Sequence, residues 1–248
     1  MKAVFRECVR IGSEKGVFHL RLKIFAAVAV SCCLAASALA ASARDDLAPA
    51  DSGWTEKTGG RDYRTYLRYV KGADTAEVLM VGRVSKSPRE CLAVATSYAA
   101  FPEFMPYIKF TRLLSSEKAS ATKTINTVFF YVEAPLVSPR YYTLRLTDEI
   151  GPTVCQSAWD LEKGAKRKTP ADPAFAGKIP DPSSAVETPL NRGHWRFTAL
   201  PGGAGTRVDY YVFTNPGGKI PPFIVNKTNA IAMPLLWKAF TERLSGRK

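Results

Sequence analysis

The sequence predicts an α+β fold in which a curved antiparallel β-sheet wraps around a long C-terminal α-helix, with short helices after the first hairpin. Three observations lead to this prediction. A strand pattern at residues 206–213 turns through the Asn-Pro-Gly-Gly segment 215–218 into a helical pattern that continues to Leu244. Four strand patterns between residues 108 and 161 follow one another with short connections, and a hairpin and a capped helix precede them. Runs of strands with a separate helix are typical of an antiparallel sheet covered on one face.

The C-terminal helix is predicted from its start and from its apolar period. Pro221 and Pro222 suit a first helical turn, where a missing N–H costs little. Apolar residues then recur at steps of three and four, which predicts one buried stripe. Pro234 removes one backbone hydrogen bond, so we expect a bend there that makes the two halves of the helix separable. The stripe consists of Phe223, Ile224, Ile231, Leu235, Leu236, Ala239, Phe240 and Leu244.

Residues 1–43 are predicted to be a leader rather than part of the fold. Residues 24–40 form an apolar run rich in alanine and serine, and Ala40 and Ala43 each end a small-residue motif suited to cleavage. The run is too diluted for a spanning helix, which needs about 20 strongly apolar residues. We therefore expect a cleaved signal peptide and a periplasmic or secreted protein. The true translation start is expected nearer Val17. A lipoprotein attached through a cysteine of the run is disfavoured, because the usual leucine is missing before it.

After the leader the chain remains basic. The whole chain has 35 Lys and Arg and 22 Asp and Glu, of which residues 1–43 contain six and two, so residues 44–248 carry a formal charge of +9. Such a surplus favours encounter with anionic partners. An exported protein meets phospholipid headgroups more often than nucleic acid. We therefore expect a monomer that contacts an anionic membrane surface transiently and has no nucleic-acid partner; a basic surface kept for solubility is the alternative.

The folded domain is expected to span residues 61–246. Residues 44–60 are polar and contain glycine, proline and aspartate, so they are interpreted as a linker in which Trp54 is a first anchor. Segments 61–70 and 77–84 alternate or run apolar across a Gly-Ala-Asp turn, which predicts a hairpin.

A short helix is predicted directly after this hairpin. Ser87 supplies an N-cap, Pro88 suits the first helical position, and Glu90 lies where its side chain returns the capping bond. We expect this helix to continue to about Ala99. The two prolines within residues 101–106 then end it.

Six segments predict the rest of the sheet. Within the third of them, alternation places Tyr142, Leu144 and Leu146 on one face. In the last hairpin the face expected towards the helix carries Trp195, Phe197, Val208, Tyr210 and Val212. The six segments are 108–115, 123–133, 140–148, 154–161, 193–199 and 206–213.

Residues 162–191 interrupt the strand pattern. The segment begins basic, continues rich in proline, alanine, aspartate and serine, and has Phe175 as its single aromatic residue. No regular structure is predicted for it. We interpret it as a disordered insert, with a membrane-contacting loop as the alternative.

No motif of the sequence indicates catalysis. There is no G-x-S-x-G elbow, P-loop or G-x-G-x-x-G fingerprint. After the leader the chain has one histidine, His194, and two cysteines, Cys91 and Cys155, which are too few to predict a metal site. We expect no cofactor and no metal, and we interpret His194 as a surface or hydrogen-bonded strand residue. Whether the two cysteines pair is left open.

Three phrases resemble those of START-type lipid-transfer domains, within the helix-grip superfamily that includes the birch-pollen allergen and polyketide cyclases. Residues 206–226 contain T-x-V-x-Y, N-P-G-G-x-I-P and V-N. Residues 134–142 read A-P-L-V-S-P-R-Y-Y, and residues 98–106 end in F-P-E-F-M-P, with Phe104 where the family usually has tryptophan. The resemblance covers about residues 61–244. It implies a helix-grip fold in which the long helix is both wall and lid of an apolar tunnel.

The ligand site is predicted between the sheet and the long helix. The resemblance implies a hollow interior, whereas periodicity alone is equally compatible with solid packing. Arg140 is expected either to hold an acidic or hydroxyl group of a ligand or to form an ion pair at the rim. The predicted ligand-binding residues are Phe104, Phe129, Arg140, Tyr142, Leu144, Trp195, Phe197, Tyr210, Phe223, Ile224 and Ile231.

The function implied is that of an exported lipid-binding or lipid-transfer protein whose ligand is a hydrophobic small molecule or lipid. The helix before Pro234 and the loop at residues 136–137 would move apart to exchange it. No enzymatic activity is expected. A cyclase- or aromatase-like enzyme that uses Tyr142, Arg140 and Glu133 is the alternative, and an interaction module without transfer is a third class. The sequence does not identify the lipid.

Overall fold

The computed structural model describes residues 47–135, 137–218 and 220–247, without the side chains of residues 222–230. The predicted leader with its two cleavage sites, and the first residue of the predicted moving loop, lie outside the described residues. Among the described residues, no helix combines the length and apolarity needed to cross a bilayer.

The described residues form one antiparallel sheet with a single short parallel addition. The strands are β1 Thr55–Gly59, β2 Tyr63–Tyr69, β3 Ala76–Val84, β4 Ile108–Lys118, β5 Lys123–Val132, β6 Arg140–Ile150, β7 Val154–Leu161, β8 Val186–Glu187, β9 Leu190–Ala199 and β10 Thr206–Asn215. Their order across the sheet is β1-β2-β3-β10-β9-β7-β6-β5-β4, and β8 pairs in parallel with the start of β6. The predicted first hairpin, meander and last hairpin are all confirmed.

Three α-helices are described, and they pack with the sheet around one core. They are α1 Pro88–Ala95, α2 Phe101–Phe104 and α3 Pro222–Leu244. The predicted capping box starts α1: the Ser87 hydroxyl accepts from the Glu90 amide at 3.3 Å, and the Glu90 carboxylate accepts from the Ser87 amide at 2.9 Å. The helix ends at Ala95, earlier than expected, because the chain continues into a 3₁₀ turn before α2. The predicted α+β class is confirmed.

Strand β1 lies within the segment interpreted as a linker, so that interpretation is corrected there. Trp54 anchors the chain just before it: its ring meets Tyr211 edge-on at 6.4 Å, and the Arg68 guanidinium lies 4.2 Å from the ring centre. This anchor brings the following five residues to the free edge of β2, where they form antiparallel backbone hydrogen bonds. A polar composition did not prevent pairing, because an edge strand needs only backbone groups on one side.

Helix α3 docks through its second half, but with a stripe rotated from the predicted one. Trp237 and Phe240 are buried, whereas Ile231 and Leu235, both predicted inside, are 50% and 40% exposed. The rotation is set by Trp237, whose six-membered ring occupies the space above Gly82 on β3 and packs 5.5 Å from the ring of Tyr63. The largest side chain therefore decides which face of the helix is buried.

The sheet also has a packed outer face, which the sequence did not predict. Phe129 and Tyr131 of β5 point away from the helices and pack with Phe175 and Ile179 of the segment 162–191. The ring of Phe175 lies 4.5 Å from that of Phe129 and is 2% exposed.

Further bonds attach the same segment to the sheet. The Tyr131 hydroxyl donates to the Asp181 carbonyl at 2.9 Å, and the Lys168 amide donates to the Thr143 hydroxyl at 3.1 Å. Strand β8 adds a backbone pair with β6. The interpretation as a disordered insert is therefore wrong: the segment folds onto the outer face because that face is apolar.

Replacement of Gly82 by alanine should loosen α3. A Cβ at this position would lie 2.2 Å from Cη2 of Trp237, so the buried ring must shift. We expect a loss of about 2 kcal/mol in the free energy of unfolding, measured by urea denaturation. Trp237→Phe should cost less in the Gly82→Ala background than in the parent, because the shorter ring leaves room for the methyl group. Equal costs in both backgrounds would contradict the docking contact.

A second prediction concerns the outer cover. Phe175→Ala should lower the free energy of unfolding by about 3 kcal/mol, because it empties a site enclosed by two other aromatic rings. It should also speed cleavage by trypsin within residues 162–191. Lys178→Arg, an exposed change in the same segment that keeps the trypsin site, is the control and should alter neither. An unchanged stability for Phe175→Ala would show that the segment contributes no packing.

Candidate functional site

A cavity of about 110 Å³ lies between the inner face of the sheet and the helices. Aromatic and aliphatic side chains dominate its wall, and among the described residues the wall contains no charged side chain. The lining residues are Ala95, Tyr98, Phe101, Met105, Ile108, Phe130, Tyr142, Leu144, Leu146, Ser157, Trp159, Asn191, Trp195, Tyr210, Val212 and Leu236. An apolar cavity of ~150 Å³ accepts benzene, so this one has room for a small hydrocarbon group.

The hydroxyls of Tyr142 and Tyr210 project from neighbouring parts of the wall. The Tyr142 hydroxyl lies near the Asn191 side chain, whose Oδ1 accepts from Nε1 of Trp159 at 2.9 Å. Burial raises the pKa of Tyr142 to about 12 and raises the pKa of Tyr210 as well. Both side chains are therefore uncharged at neutral pH and can each donate or accept a hydrogen bond.

Solved structures of the same architecture come from bacteria and from humans. The STAR-related lipid transfer protein of Xanthomonas axonopodis, solved as a fragment, is 22% identical, with a TM-score of 0.61 over 78% of this chain and 99% of that one. Human StAR-related lipid transfer protein 5 is 13% identical, with a TM-score of 0.64 over 89% and 98%. Human STARD10 is 14% identical, with a TM-score of 0.59 over 81% and 78%.

This is the START-type helix-grip fold. No protein-family model matches the chain, and no curated protein matches it. At these identities the likeness concerns the fold alone.

Four of the predicted site residues line the cavity: Tyr142, Leu144, Trp195 and Tyr210. Phe197 is buried beside them rather than in the wall, because its ring stacks on Phe240 of α3 at 5.9 Å. The side chains of Phe223 and Ile224 lie outside the described residues.

The other predicted aromatic and aliphatic residues are placed elsewhere by the START-type fold. Phe129 packs under the outer cover, so its predicted place in the cavity is corrected; Phe130 takes that place, opposite Tyr142 in the β5–β6 register. Ile231 is half-exposed because Trp237 sets the rotation of α3. Phe104 lies at the outer edge of α2, with the Arg243 guanidinium 5.1 Å from its ring, and lines a surface groove beside α3 instead.

Sequence reasoning missed several lining residues. Residues 128–132 are apolar throughout, so alternation could not tell which of them face inward. Tyr98 reaches the cavity from the 3₁₀ turn between α1 and α2, and Phe101 from the first residue of the four-residue α2, where no long period applies. Trp159 was detectable in principle, since it lies on the same face of β7 as Ser157 and Leu161.

Arg140 acts as a clamp between two turns rather than as a group in the cavity wall. It is 7% exposed. Its Nε donates to the Pro216 carbonyl at 2.7 Å and its Nη2 to the Gly217 carbonyl at 3.2 Å, while Nη1 donates to the Ser138 carbonyl. No carboxylate of the described residues pairs with it, so the expected rim ion pair is not formed. Burial lowers the pKa of Arg140.

The turn that Arg140 holds requires its glycines. The Asn215 side chain accepts from the Gly217 amide at 2.9 Å, and Gly217 has a φ of +71°. A Cβ on Gly217 would lie 2.6 Å from the Glu187 carbonyl oxygen. The Asn-Pro-Gly-Gly phrase therefore serves to pass the chain closely over β8 before α3 begins.

The described residues contain no group that suggests metal or thiol chemistry. No three His, Cys, Asp or Glu side chains among them are placed to hold a metal ion. Cys91 and Cys155 are both buried and unpaired. Burial raises the pKa of the Cys91 thiol to about 12, so it is not a nucleophile at neutral pH.

Replacement of Arg140 should test the clamp. Arg140→Lys keeps the charge but cannot reach carbonyls of both turns, so we expect the free energy of unfolding to fall by about 2 kcal/mol. Arg145→Lys, on the exposed face of the same strand, should leave stability unchanged. Both are measured by urea denaturation. Equal stability of the two variants would show that the carbonyl contacts of Arg140 do not hold the turns together.

Proposed function

We propose that this chain is an exported protein that binds a lipid in the cavity between the sheet and α3 and transfers it between membranes. The observation that carries the proposal is the wall of the cavity, which is aromatic and aliphatic with a few uncharged polar groups. Such a wall favours an apolar ligand and offers it no charged partner. The names of the structural neighbours, which are lipid transfer proteins, agree with this proposal.

Burial alone supplies enough free energy for binding. Removal of roughly 400 Å² of ligand surface from water contributes about 10 kcal/mol at ~25 cal/mol per Å². Ordering the ligand costs part of this, which leaves an affinity in the micromolar range or better. No covalent step is needed.

Lipid entry requires the lining elements to separate. The cavity of about 110 Å³ is smaller than the ~300–1,000 Å³ typical of ligand pockets. The helix before Pro234 and the connection after β5 are the proposed moving parts, since a proline weakens the helix between its two halves. Arg140 bonds to carbonyls of this connection and of the turn before α3. Opening must therefore either break these hydrogen bonds or move both turns together with Arg140.

The exposed face of α3 supports a membrane-docking role. Ile231 and Leu235 expose apolar surface there, and the surface groove beside Leu235 has three basic side chains against two acidic ones: Lys238, Arg243 and Arg247, with Glu103 and Glu242. Apolar side chains next to basic ones favour the interface of an anionic bilayer. Export is proposed from the leader sequence.

Binding rather than catalysis is proposed for a specific reason. The cyclase hypothesis placed Arg140 and Glu133 in the cavity, and neither is among the residues that line it. Among the described residues no observation favours an acid–base pair acting on a substrate in this cavity.

The test begins with the ligand itself. The chain without its leader is purified, and bound small molecules are extracted and identified by mass spectrometry. We expect a membrane lipid. A soluble ring compound would favour the cyclase hypothesis, and an empty protein that also fails to move a fluorescent lipid from anionic to acceptor vesicles would refute the proposal.

A cavity-filling variant links the ligand to this site. Leu144→Trp places an indole in the cavity and should reduce bound lipid at least tenfold, because the ring occupies the ligand's space. Arg145→Trp adds the same ring on the exposed face of β6 and should retain the lipid. Circular dichroism checks that both variants fold. Equal loss of lipid from both variants would place the ligand elsewhere.

A further inference from the structure

A buried acidic group lies next to one end of the cavity, behind two of the residues that line it. Asp148 of β6 lies behind the wall and is 9% exposed. The Tyr98 hydroxyl donates to both of its carboxylate oxygens at 3.0 Å, and Nδ2 of Asn126 donates to one of them at 2.7 Å. The Ser157 hydroxyl lies 3.4 Å from that of Tyr98, and because the Tyr98 hydrogen is directed to Asp148, Ser157 is the donor in this contact.

No cation accompanies this carboxylate. Among the described residues no lysine, arginine or histidine forms an ion pair with Asp148; its hydrogen-bond partners are the Tyr98 hydroxyl and the Asn126 amide. Burial raises the pKa of Asp148, and the nearby polar groups of Ser157, Tyr98 and Asn126 oppose that rise. A buried carboxylate that relies on neutral donors fixes the direction in which those donors point.

These bonds determine which hydrogen-bonding groups the wall offers to a ligand at this end of the cavity. Tyr98 and Ser157 both line the cavity, whereas Asp148 and Asn126 stand behind them. A hydroxyl has one hydrogen and two lone pairs. Because the Tyr98 hydrogen is directed to the carboxylate and the Ser157 hydrogen to the Tyr98 oxygen, the two hydroxyls have lone pairs rather than hydrogens available to the cavity. This end of the cavity therefore accepts hydrogen bonds and does not offer them.

The opposite end of the cavity lacks this bias. Tyr142 lies six residues from Asp148 on the same strand, about 20 Å away along β6. Its hydroxyl and that of Tyr210 have no carboxylate partner among the described residues, so each can donate or accept. Only the end at Tyr98 and Ser157 distinguishes a donor from an acceptor.

We propose that the Tyr98–Ser157 end of the cavity selects lipids whose polar group donates a hydrogen bond, such as an uncharged hydroxyl, and that the lipid enters with this group first. Lipids whose inner end carries only acceptors are disfavoured, because their oxygens would face the lone pairs of Tyr98 and Ser157. An anionic end is disfavoured further by the negative charge of Asp148. This inference rests on the proposed function and specifies its ligand class.

The experiment compares two probes that differ in a single donor. Dodecanol and dodecyl methyl ether are titrated against the chain without its leader, loaded with the neutral fluorophore N-phenylnaphthylamine, and displacement gives their dissociation constants. We expect dodecanol to bind at least about fivefold more tightly, the effect of one neutral hydrogen bond. The ether costs less to remove from water, so a site without this selectivity would bind it as tightly as the alcohol or more tightly.

Two variants assign the preference to the proposed groups. Tyr98→Phe and Ser157→Ala should each reduce the ratio of the two dissociation constants towards one, while the affinity for the ether stays within about twofold. Tyr141→Phe removes a hydroxyl from the outer face of β6 and should preserve the ratio. A purely structural role for Tyr98 would weaken both probes equally and leave the ratio unchanged.

The outcomes separate this inference from the proposed function. Equal affinity of the parent protein for both probes overturns the selectivity while lipid binding stands. Displacement by neither probe overturns the proposed function and the inference with it. A preference for the alcohol that persists in both variants would also overturn the assignment to Tyr98 and Ser157.

Discussion

The docking of α3 depends on the contact between Trp237 and Gly82. The absence of a side chain at Gly82 lets the indole approach the sheet, and this contact fixes the rotation of the helix. Phe240 follows one turn later and stacks on Trp195 at 5.0 Å and on Phe197 at 5.9 Å. The interior is therefore packed around Trp237 and Phe240. The cavity lies next to this packed region, and among the described side chains of α3 Leu236 lines it. Because this contact holds α3 on the sheet, the cavity beside it can remain unfilled while the helix stays docked.

Two other features hold the rest of the sheet around this interior. On the outer face, Phe175 closes over Phe129, which gives β5 apolar contacts on both sides. At the end of the sheet where α3 begins, Arg140 binds carbonyls of two turns and takes the place of an ion pair. Both features lie away from the cavity wall. The residues that line the wall, including Tyr98 and Ser157, take part in neither contact.

Much of the candidate site follows from strand alternation, and the exceptions share a cause. Tyr142, Leu144, Trp195 and Tyr210 were predicted from strands with one apolar and one polar face, and they line the cavity. Alternation is informative only when the two faces differ. In β5 the outer cover makes both faces apolar, so Phe129 was chosen where Phe130 was correct. Arg140 was placed in the site because a sequence does not reveal that backbone carbonyls of distant turns will surround a guanidinium.

By itself the sequence determined the elements: the capping box of α1, the paired strands, the Asn-Pro-Gly-Gly turn and the helix that follows it. These depend on hydrogen bonds and steric preferences between residues close in the chain. Only the tertiary structure decided which face of α3 is buried, that residues 162–191 cover the sheet, and that the Tyr98 hydroxyl donates to Asp148. Each of these is a contact between residues far apart in the chain, set by shape and by the need to satisfy buried polar groups, and neither requirement leaves a periodic trace in the sequence.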